Sequence, residues 1–297
     1  IVGSSTVYPF SAAVAEQFGK KGQFKTPKVE STGTGGGIKL FCGGLGPKYP
    51  DIANASRPLK KSEFEACQKA GVKDIVEIKI GFDGIVIAQS KKAKNELVLT
   101  RKEIFQALAK RIPDPKEPES GALVENPYKL WSEINPSLPK TKIEVLGPPP
   151  SSGTRDAFAE LALEAGCQQY PWLKAKKEAD DAFFKNVCMT IREDGAYVEA
   201  GENDNLIVQK LEANADAAGI FGYSYLALNE DKLKAAKIDG RSPTYEAIAD
   251  GKYPISRPLY FYVKKGHIGV IPGIAEFVAE FIGDKASGPE GYLSDKG

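Results

Sequence analysis

Histidine, methionine and long hydrophobic runs are scarce or missing in this sequence of 297 residues. His267 is the one histidine and Met189 the one methionine, so a metal site with several histidine ligands is excluded. No hydrophobic run approaches the roughly 18–20 residues that a transmembrane helix needs. The charges nearly cancel, with 40 Lys and Arg against 39 Asp and Glu, which disfavours the broad basic surface of a nucleic-acid-binding protein. An anionic ligand would therefore require a local site.

The length, the cysteines and the first residue predict an exported protein of about two domains. None of the cysteines has the C-x-x-C spacing of a zinc site. Three disulfide pairings are possible; pairing nearest neighbours along the chain closes two loops of similar size, and free buried thiols are the alternative. Because the chain begins at Ile1 and not at Met, we expect either that a leader segment was removed or that the sequence was trimmed. The cysteines are Cys42, Cys67, Cys167 and Cys188.

Alternating strand and helix patterns predict an α/β fold. Apolar residues spaced by three or four positions indicate helices, and alternation of apolar and polar residues indicates strands. The elements that matter below are a helix over residues 11–18, a helix capped by Ser62 and Glu65, a helix capped by Thr100 and Glu103, separate strands over residues 76–80 and 84–88, and a polar surface tail over residues 283–297.

Three segments rich in glycine, serine and threonine each precede a predicted helix: residues 3–7, 31–37 and 151–155. A helix N-terminus presents backbone N–H groups without helical partners and a partial positive charge. Small residues let an anion approach these groups, and hydroxyl groups add donors. Any single segment of this kind is more simply explained as a helix cap. Three in one chain favour anion binding.

Two arginines accompany such loops. Arg155 stands at the start of its predicted helix, where the helix dipole disfavours a cation but where its fork of donors would suit an oxyanion. The alternative is a surface arginine that pairs with Asp156 or Glu160. Arg57 follows the apolar stretch ending at Ala53, the kind of strand end where open α/β sheets bind ligands. The alternative for Arg57 is an ordinary exposed charge.

Motifs of other functional classes are incomplete. Residues 33–39 have neither the spacing of a Walker phosphate loop nor that of a dinucleotide-binding motif. Ser152 lacks the G-x-S-x-G context of a nucleophile, and only His267 could act as its base. We expect His267 to lie in an exposed turn. The sequence therefore predicts neither an enzyme nor a cofactor.

Six segments occur in an order that resembles a known family: GSSTVYP (3–9), ESTGTGGGIK (30–39), ANASR (53–57), DGI (83–85), SSGTR (151–155) and GIFGY (219–223). From residue 1 to about residue 283 the chain resembles the periplasmic phosphate-binding protein of bacterial ABC phosphate importers, the PstS family. The resemblance implies a type II periplasmic-binding-protein fold with a mixed sheet in each of two lobes that close like a hinge. The implied lobes are residues 1–88 with 257–297 and residues 89–256, with the ligand cleft between them.

The same resemblance implies a periplasmic monomer that binds inorganic phosphate without chemical change and delivers it to a membrane ABC permease. It also implies the donors, with Thr32 nearly as suitable as Thr34 in the second loop. In the better-known branch an aspartate follows the serine at position 56, where this chain has Arg57, and an arginine stands where this chain has Pro148. The implied phosphate ligands are Ser5, Thr6, the amide of Val7, Thr34, Gly35, Ser56, Arg57, Ser152, Gly153, Thr154 and Arg155.

The missing aspartate matters because phosphate near neutral pH keeps a proton that sulfate lacks. Donors alone cannot distinguish the two ions, whereas a carboxylate accepts the phosphate O–H and repels a fully ionised anion. We expect Asp83 to supply that carboxylate; the alternative is that Asp83 and Gly84 form a turn between two strands. Glu202 and Asn203 are weaker candidates. The functions left open are binding of another tetrahedral oxyanion such as sulfate, hydrolysis of phosphate esters outside the cell, and exported adhesion or signalling.

Overall fold

A computed structural model describes residues 1–4, 6–150, 152–201 and 204–293. Its strands are β1 (Val2–Gly3), β2 (Glu30–Ser31), β3 (Ile52–Ala55), β4 (Ile75–Ser90), β5 (Val98–Leu99), β6 (Arg111–Pro113), β7 (Leu123–Glu125), β8 (Val145–Gly147), β9 (Tyr197–Glu199), β10 (Ala218–Gly222), β11 (Leu233–Ala235), β12 (Lys237–Ile238) and β13 (Ser256–Lys264). Its α-helices are α1 (Tyr8–Lys20), α2 (Thr34–Phe41), α3 (Lys61–Lys69), α4 (Arg101–Leu108), α5 (Trp131–Ile134), α6 (Gly153–Phe158), α7 (Ala165–Cys167), α8 (Pro171–Ala179), α9 (Asp181–Cys188), α10 (Asp204–Ala213), α11 (Tyr223–Leu228), α12 (Tyr245–Ala249), α13 (Ile274–Ile282) and α14 (Asp284–Ser287). A π-helical segment, Ala159–Glu164, joins α6 to α7.

Two compact units divide the chain, one made of residues 1–83 with 257–297 and the other of residues 84–256. The chain leaves the first unit after Asp83, inside β4, where the resemblance led us to expect Ala88. It returns at Arg257, inside β13. Each unit contains a mixed sheet, so the predicted α/β class is confirmed.

The sheet of the first unit has the strand order β2-β1-β3-β13-β4. β1 pairs in parallel with β2 and β3, whereas β13 runs antiparallel to β3. Helices α1 and α13 pack on this sheet through a core that contains Val14, Phe18, Phe261, Phe277 and Phe281. The Phe261 and Phe281 rings lie 5.0 Å apart between centroids. Burying each such ring contributes about 2–3 kcal/mol to stability.

The sheet of the second unit contains the C-terminal half of β4 beside β10, followed by β8 and β9. β10 is antiparallel to β4 but parallel to β8, and β8 is parallel to β9. Val86, Ile207, Leu211 and Phe221 lie in the core that α10 forms with this sheet. The loop that follows β8 leads directly to the start of α6.

The Arg192 side chain joins three segments of the second unit. Its Nε donates to Asp194 Oδ1 at 2.7 Å, and its Nη2 donates to Asp194 Oδ2 and to the Asn126 carbonyl. Its Nη1 donates to the carbonyls of Tyr128 at 2.9 Å and Ala107 at 3.2 Å. All five N–H groups therefore have acceptors. Burial of a charged side chain is tolerated under this condition.

Both disulfides form between nearest neighbours. Cys42, at the end of α2, bonds to Cys67 in α3, and Cys167, at the end of α7, bonds to Cys188 at the end of α9. The bonded cysteines are 25 and 21 residues apart, for which the chain-entropy model gives about 3–4 kcal/mol of stabilisation each. The first disulfide ties α3 to α2, the helix that begins at the predicted ligands Thr34 and Gly35.

The prediction of two separate strands was wrong, and the alternative of a turn at Asp83 and Gly84 is not formed either. β4 is one strand, and Asp83 lies within it. The glycine that follows serves close packing, because a Cβ at Gly84 would lie 2.5 Å from the Cδ1 atom of Ile248. An Asp-Gly pair is an ordinary turn signal, and the sequence does not reveal that a side chain from a distant segment needs the space.

Capping was predicted correctly for one helix and wrongly for another. Thr100 Oγ1 accepts from the Glu103 amide at 3.2 Å, as predicted for α4. In α3 the carboxylate that accepts from the preceding backbone is Glu63, bonded to the Lys60 amide at 2.9 Å. The Glu65 prediction fails because the helix begins earlier, at Lys61.

Two further expectations about exposure were also wrong. The C-terminal tail packs on the first unit, since Ala286 in α14 and Leu293 are part of its core. His267 is 3% exposed, with Nδ1 2.6 Å from Asp51 Oδ1 and Nε2 accepting from the Gly46 amide at 3.0 Å. Both hydrogen-bonding atoms of the ring are thus used in holding the loop that contains Gly46.

Candidate anion-binding site

The first small-residue loop is held against β3. Gly3 has a φ of 131°, and a Cβ there would lie 2.2 Å from the carbonyl oxygen of Asn54, so glycine is required. The Ser4 amide donates to the same oxygen at 2.9 Å, and the Val7 amide donates to Ser4 Oγ at 3.4 Å. The helix α1 begins at Tyr8. The loop therefore leads directly into a helix N-terminus.

The second loop packs on the first. Gly37 of α2 approaches Gly3 so closely that a Cβ at Gly37 would lie 2.3 Å from the Gly3 Cα atom. Gly33 has a φ of 73° and turns the chain into α2 at Thr34. Thr34 Oγ1 accepts from the Ser56 amide at 3.1 Å and lies 3.0 Å from Ser56 Oγ. The structure thus brings together two predicted ligands from separate segments.

Arg57 is held beside the N-terminus of α2 by a glutamate. Its Nη1 and Nη2 atoms donate to the two carboxylate oxygens of Glu63 at 2.9 and 2.8 Å, a bidentate pair. Burial opposes ionisation of Glu63, but hydrogen bonds from Arg57 and from the Lys60 amide outweigh it and lower the pKa of Glu63. A Cβ at Gly35 would lie 3.9 Å from Arg57 Nη2. The guanidinium is therefore oriented before any ligand arrives.

The third loop opens α6 in the second unit. Ser152 Oγ accepts from the Thr154 amide at 3.2 Å, so this serine is the N-cap. A serine hydroxyl that accepts a capping hydrogen bond still carries a proton to donate. Gly153 occupies the first helical position, where it adds no side chain between the loop backbone and a ligand.

Arg155 lies in the first turn of α6 and is mostly buried, with 12% of its side chain exposed. Its Nη1 donates to Glu199 Oε1 at 2.9 Å and to the Pro148 carbonyl at 3.4 Å. The guanidinium also stacks on the ring of Tyr197, 4.7 Å from its centroid. Burial raises the pKa of Tyr197 to about 12, although the charge of Arg155 acts in the opposite direction. Like Arg57, this arginine is oriented by a glutamate of its own unit.

Asp83 faces Arg257, a residue outside the sequence motifs described above. Arg257 Nε lies 3.7 Å from Asp83 Oδ2, and Arg257 Nη2 donates to Thr6 Oγ1 at 2.8 Å. Asp83 Oδ2 is buried and accepts no hydrogen bond from a described residue. Burial raises the pKa of Asp83, while the positive charge of Arg257 acts to lower it. One guanidinium thus connects a loop ligand to the candidate acceptor.

Known proteins resemble the chain over nearly its whole length. Residues 1–285 match the family model described as the PBP superfamily domain. The chain is 32% identical to the phosphate-binding protein PstS of Staphylococcus saprophyticus over 97% of this chain and 76% of that protein. It is 33% identical to protein SphX of Synechococcus elongatus over 89% of this chain and 67% of that protein. The chain belongs to the PBP superfamily and, within it, to the PstS family.

A solved structure agrees with this membership. The chain resembles a possible phosphate-binding protein from Planctomyces limnophilus, with 30% identity and a TM-score of 0.72, over 96% of this chain and 87% of that one. PstS-family proteins are substrate-binding proteins. In the part of this chain that the structure describes, no helix is long and apolar enough to cross a membrane. In the same part, no three His, Cys, Asp or Glu residues are grouped so as to hold a metal ion.

In this PstS-family chain the described ligand candidates form two groups, one in each unit. Ser5, Glu202 and Asn203, which were also predicted, lie outside the described residues. Thr32, the alternative to Thr34, donates its amide to the Gly3 carbonyl at 2.9 Å. The first group is Thr6, Val7, Thr34, Gly35, Ser56, Arg57 and Asp83, and the second is Ser152, Gly153, Thr154 and Arg155.

Three residues that shape the site were not predicted: Glu63, Glu199 and Arg257. A signal for Arg257 was present, because this charged residue directly precedes the apolar stretch of residues 258–263 in β13. Glu63 and Glu199 carry no local signal, since each looks like an ordinary surface carboxylate until the fold places it beside an arginine. The family motifs identify the arginines but not the side chains that orient them.

Proposed function

We propose that this chain is the substrate-binding protein of a phosphate importer and that it binds inorganic phosphate. The observation that carries the proposal is the meeting of Thr34, Ser56 and Arg57 at the N-terminus of α2. Hydroxyl groups, helix N–H groups and a guanidinium at one place are the donors that a tetrahedral oxyanion requires. Membership of the PstS family supports phosphate as that ion.

The electrostatics of the site favour selective binding over general attraction of anions. Arg57 and Arg155 are each paired with a glutamate, and the formal net charge of the chain is only +1. A dianion would therefore be held by oriented dipoles and by two guanidinium groups whose positions are already fixed. Fixed donors lower the entropy that is lost when the ion binds.

We further propose that both groups of ligand candidates contact one phosphate ion and that Asp83 accepts its proton. Support for the acceptor role comes from Asp83 Oδ2, which accepts no hydrogen bond from a described residue and lies near the guanidinium that binds Thr6. The contribution of Ser5, and of loops from both units to one ion, rests on the family resemblance.

The delivery role completes the proposal. The protein would release phosphate unchanged to a membrane ABC permease, act as a monomer in the periplasm, and catalyse no reaction. Hydrolysis of p-nitrophenyl phosphate by the purified protein would contradict the non-enzymatic role, and sedimentation of a dimer at micromolar concentration would contradict the monomer.

Calorimetric titration tests the binding function directly. The protein is first stripped of bound ligand by unfolding in guanidinium chloride and refolding in buffer free of phosphate. We expect one phosphate ion to bind per chain, and more tightly than sulfate. Absence of any phosphate binding would overturn the proposal. Equal affinities for sulfate and phosphate would mean that the site binds tetrahedral oxyanions in general.

A substitution at Arg155 tests the site assignment. Arg155→Ala should weaken phosphate binding by at least about 2 kcal/mol, because a partly buried anion loses a charged donor. Arg241→Ala is the matched control, since Arg241 is an exposed arginine of the same unit. Affinity of the Arg155 variant within twofold of the control would remove Arg155 from the site.

A further inference from the structure

The Arg257 guanidinium joins two residues from distant parts of the first unit. Nη2 donates to Thr6 Oγ1, in the loop before α1, and Nε lies 3.7 Å from Asp83 Oδ2, in β4. Arg257 is 6% exposed. Asp83 and Arg257 are also the residues at which the chain leaves and re-enters this unit. Because Nε and Nη2 form one edge of the planar guanidinium, Thr6 and Asp83 are held in a fixed relation along that edge.

The two partners have complementary hydrogen-bonding roles. The Thr6 hydroxyl accepts from a cation, which draws electron density from its oxygen and makes its proton a better donor to an anion. Asp83 Oδ2 is buried and receives no hydrogen bond from a described residue, so it keeps the capacity to accept one. One edge of the Arg257 guanidinium therefore holds a hydrogen-bond donor, the Thr6 hydroxyl, and an acceptor, Asp83 Oδ2, in a fixed relation.

We propose that Arg257 is a positioning residue that, through Thr6 and Asp83, makes the site selective for tetrahedral oxyanions that keep one proton. Phosphate and arsenate belong to this class, and sulfate does not. The proposal rests on the phosphate-binding function proposed above. An ion with an O–H group donates to the carboxylate, whereas a fully ionised one places an unshared negative charge against it.

Removing the guanidinium should affect both partners. Thr6 would lose the donor that orients its hydroxyl. Asp83 would lose the positive charge that is fixed 3.7 Å from Oδ2, because a lysine ammonium group on a flexible stem is not held at that position. A buried carboxyl without a fixed cation beside it favours its neutral form. A neutral carboxyl donates a proton and no longer repels sulfate. The loss of Arg257 should therefore change which ion is preferred as well as how tightly phosphate binds.

Calorimetry on the ligand-free full chain tests this at pH 8, where inorganic phosphate carries mainly one proton. Sodium phosphate and sodium sulfate are titrated into the wild type and into Arg257→Lys, which keeps a charge but replaces the fork with one ammonium group. We expect phosphate affinity to fall at least about 10-fold, and the ratio of phosphate to sulfate affinity to narrow at least about 10-fold.

The matched control is Arg192→Lys, since Arg192 is a similarly buried arginine that also faces an aspartate. It should lower the Tm and leave the ratio of affinities unchanged. An unchanged ratio in Arg257→Lys would overturn the positioning role alone, whereas a wild type that binds no phosphate would overturn the proposed function with it. If Arg257→Lys does not fold, Asp83→Asn replaces it: sulfate affinity must rise relative to phosphate, and an unchanged ratio contradicts the proposal.

Discussion

Two buried arginines each face an aspartate, Arg192 with Asp194 in the second unit and Arg257 with Asp83 in the first. Arg192 Nε donates to its aspartate at 2.7 Å, whereas Arg257 Nε lies 3.7 Å from Asp83, beyond hydrogen-bonding distance. Hydrogen bonds from Arg192 lower the pKa of Asp194 despite partial burial. Burial raises the pKa of Asp83 despite the nearby charge. The same pair of residue types therefore accompanies opposite shifts in the pKa of the aspartate.

The difference separates a structural pair from one suited to a ligand. Arg192 uses all its donors within the protein and fixes three chain segments. Asp83 keeps an oxygen that accepts no hydrogen bond from the described residues, which costs stability in the ligand-free protein but leaves an acceptor in place. Departures from full hydrogen bonding tend to occur where a site needs them.

The largest effect is expected from breaking the structural pair. Arg192→Leu should lower the free energy of unfolding by about 3–5 kcal/mol, because it leaves Asp194 and three carbonyl groups without their donor. Urea unfolding followed by circular dichroism measures the change, with Arg241→Ala as the exposed control. A loss below 1 kcal/mol would mean that water replaces the guanidinium without difficulty.

A smaller effect on the free energy of unfolding, of opposite sign, is expected at the pair of Arg257 and Asp83, whose Nε and Oδ2 atoms lie 3.7 Å apart. The folded pKa of Asp83 is raised, so its contribution to stability is greatest at acid pH, where it is protonated in both states, and decreases as the pH rises through the folded pKa. Asp83→Asn should therefore increase the free energy of unfolding of the ligand-free protein at pH 7. Urea unfolding at pH 4 and 7 should show a gain that is larger at pH 7; a loss at pH 7 would contradict the comparison.

The smallest effect is expected at Asp194, whose side chain is 40% exposed and therefore screened by solvent. Its folded pKa is lowered, so the stability it contributes is present above its ordinary value of 3.8 and is lost as the pH falls below that value. With Asp194→Asn, the free energy of unfolding should decrease less than in the wild type as the pH falls from 4 to 2. A variant whose free energy of unfolding depends on pH as strongly as that of the wild type over this range would contradict the lowered pKa.

The sequence predicted the elements whose cause is local. Each of the three loops leads into a helix as predicted, with Gly33 supplying the turn before α2 and Ser152 the cap of α6. The disulfides follow the nearest-neighbour pairing, one of the pairings that the sequence left open. The partners of the arginines could not be predicted, since Glu199 and Arg155 are brought together only by the pairing of β8 with β9. The need for glycine at position 84 of β4 depends likewise on Ile248, a residue that is distant in sequence.

The position of β13 in the sheet has a consequence for the order of events during folding. β13 lies between β3 and β4, yet all of residues 84–256 are synthesised after the first half of β4 and before β13. The second unit is therefore synthesised before most of β13. Until β13 follows, β3 lacks its partner strand on one side. An unpaired strand edge invites association with other chains. The N-terminal segment should therefore be the part of the nascent chain that depends most on a chaperone.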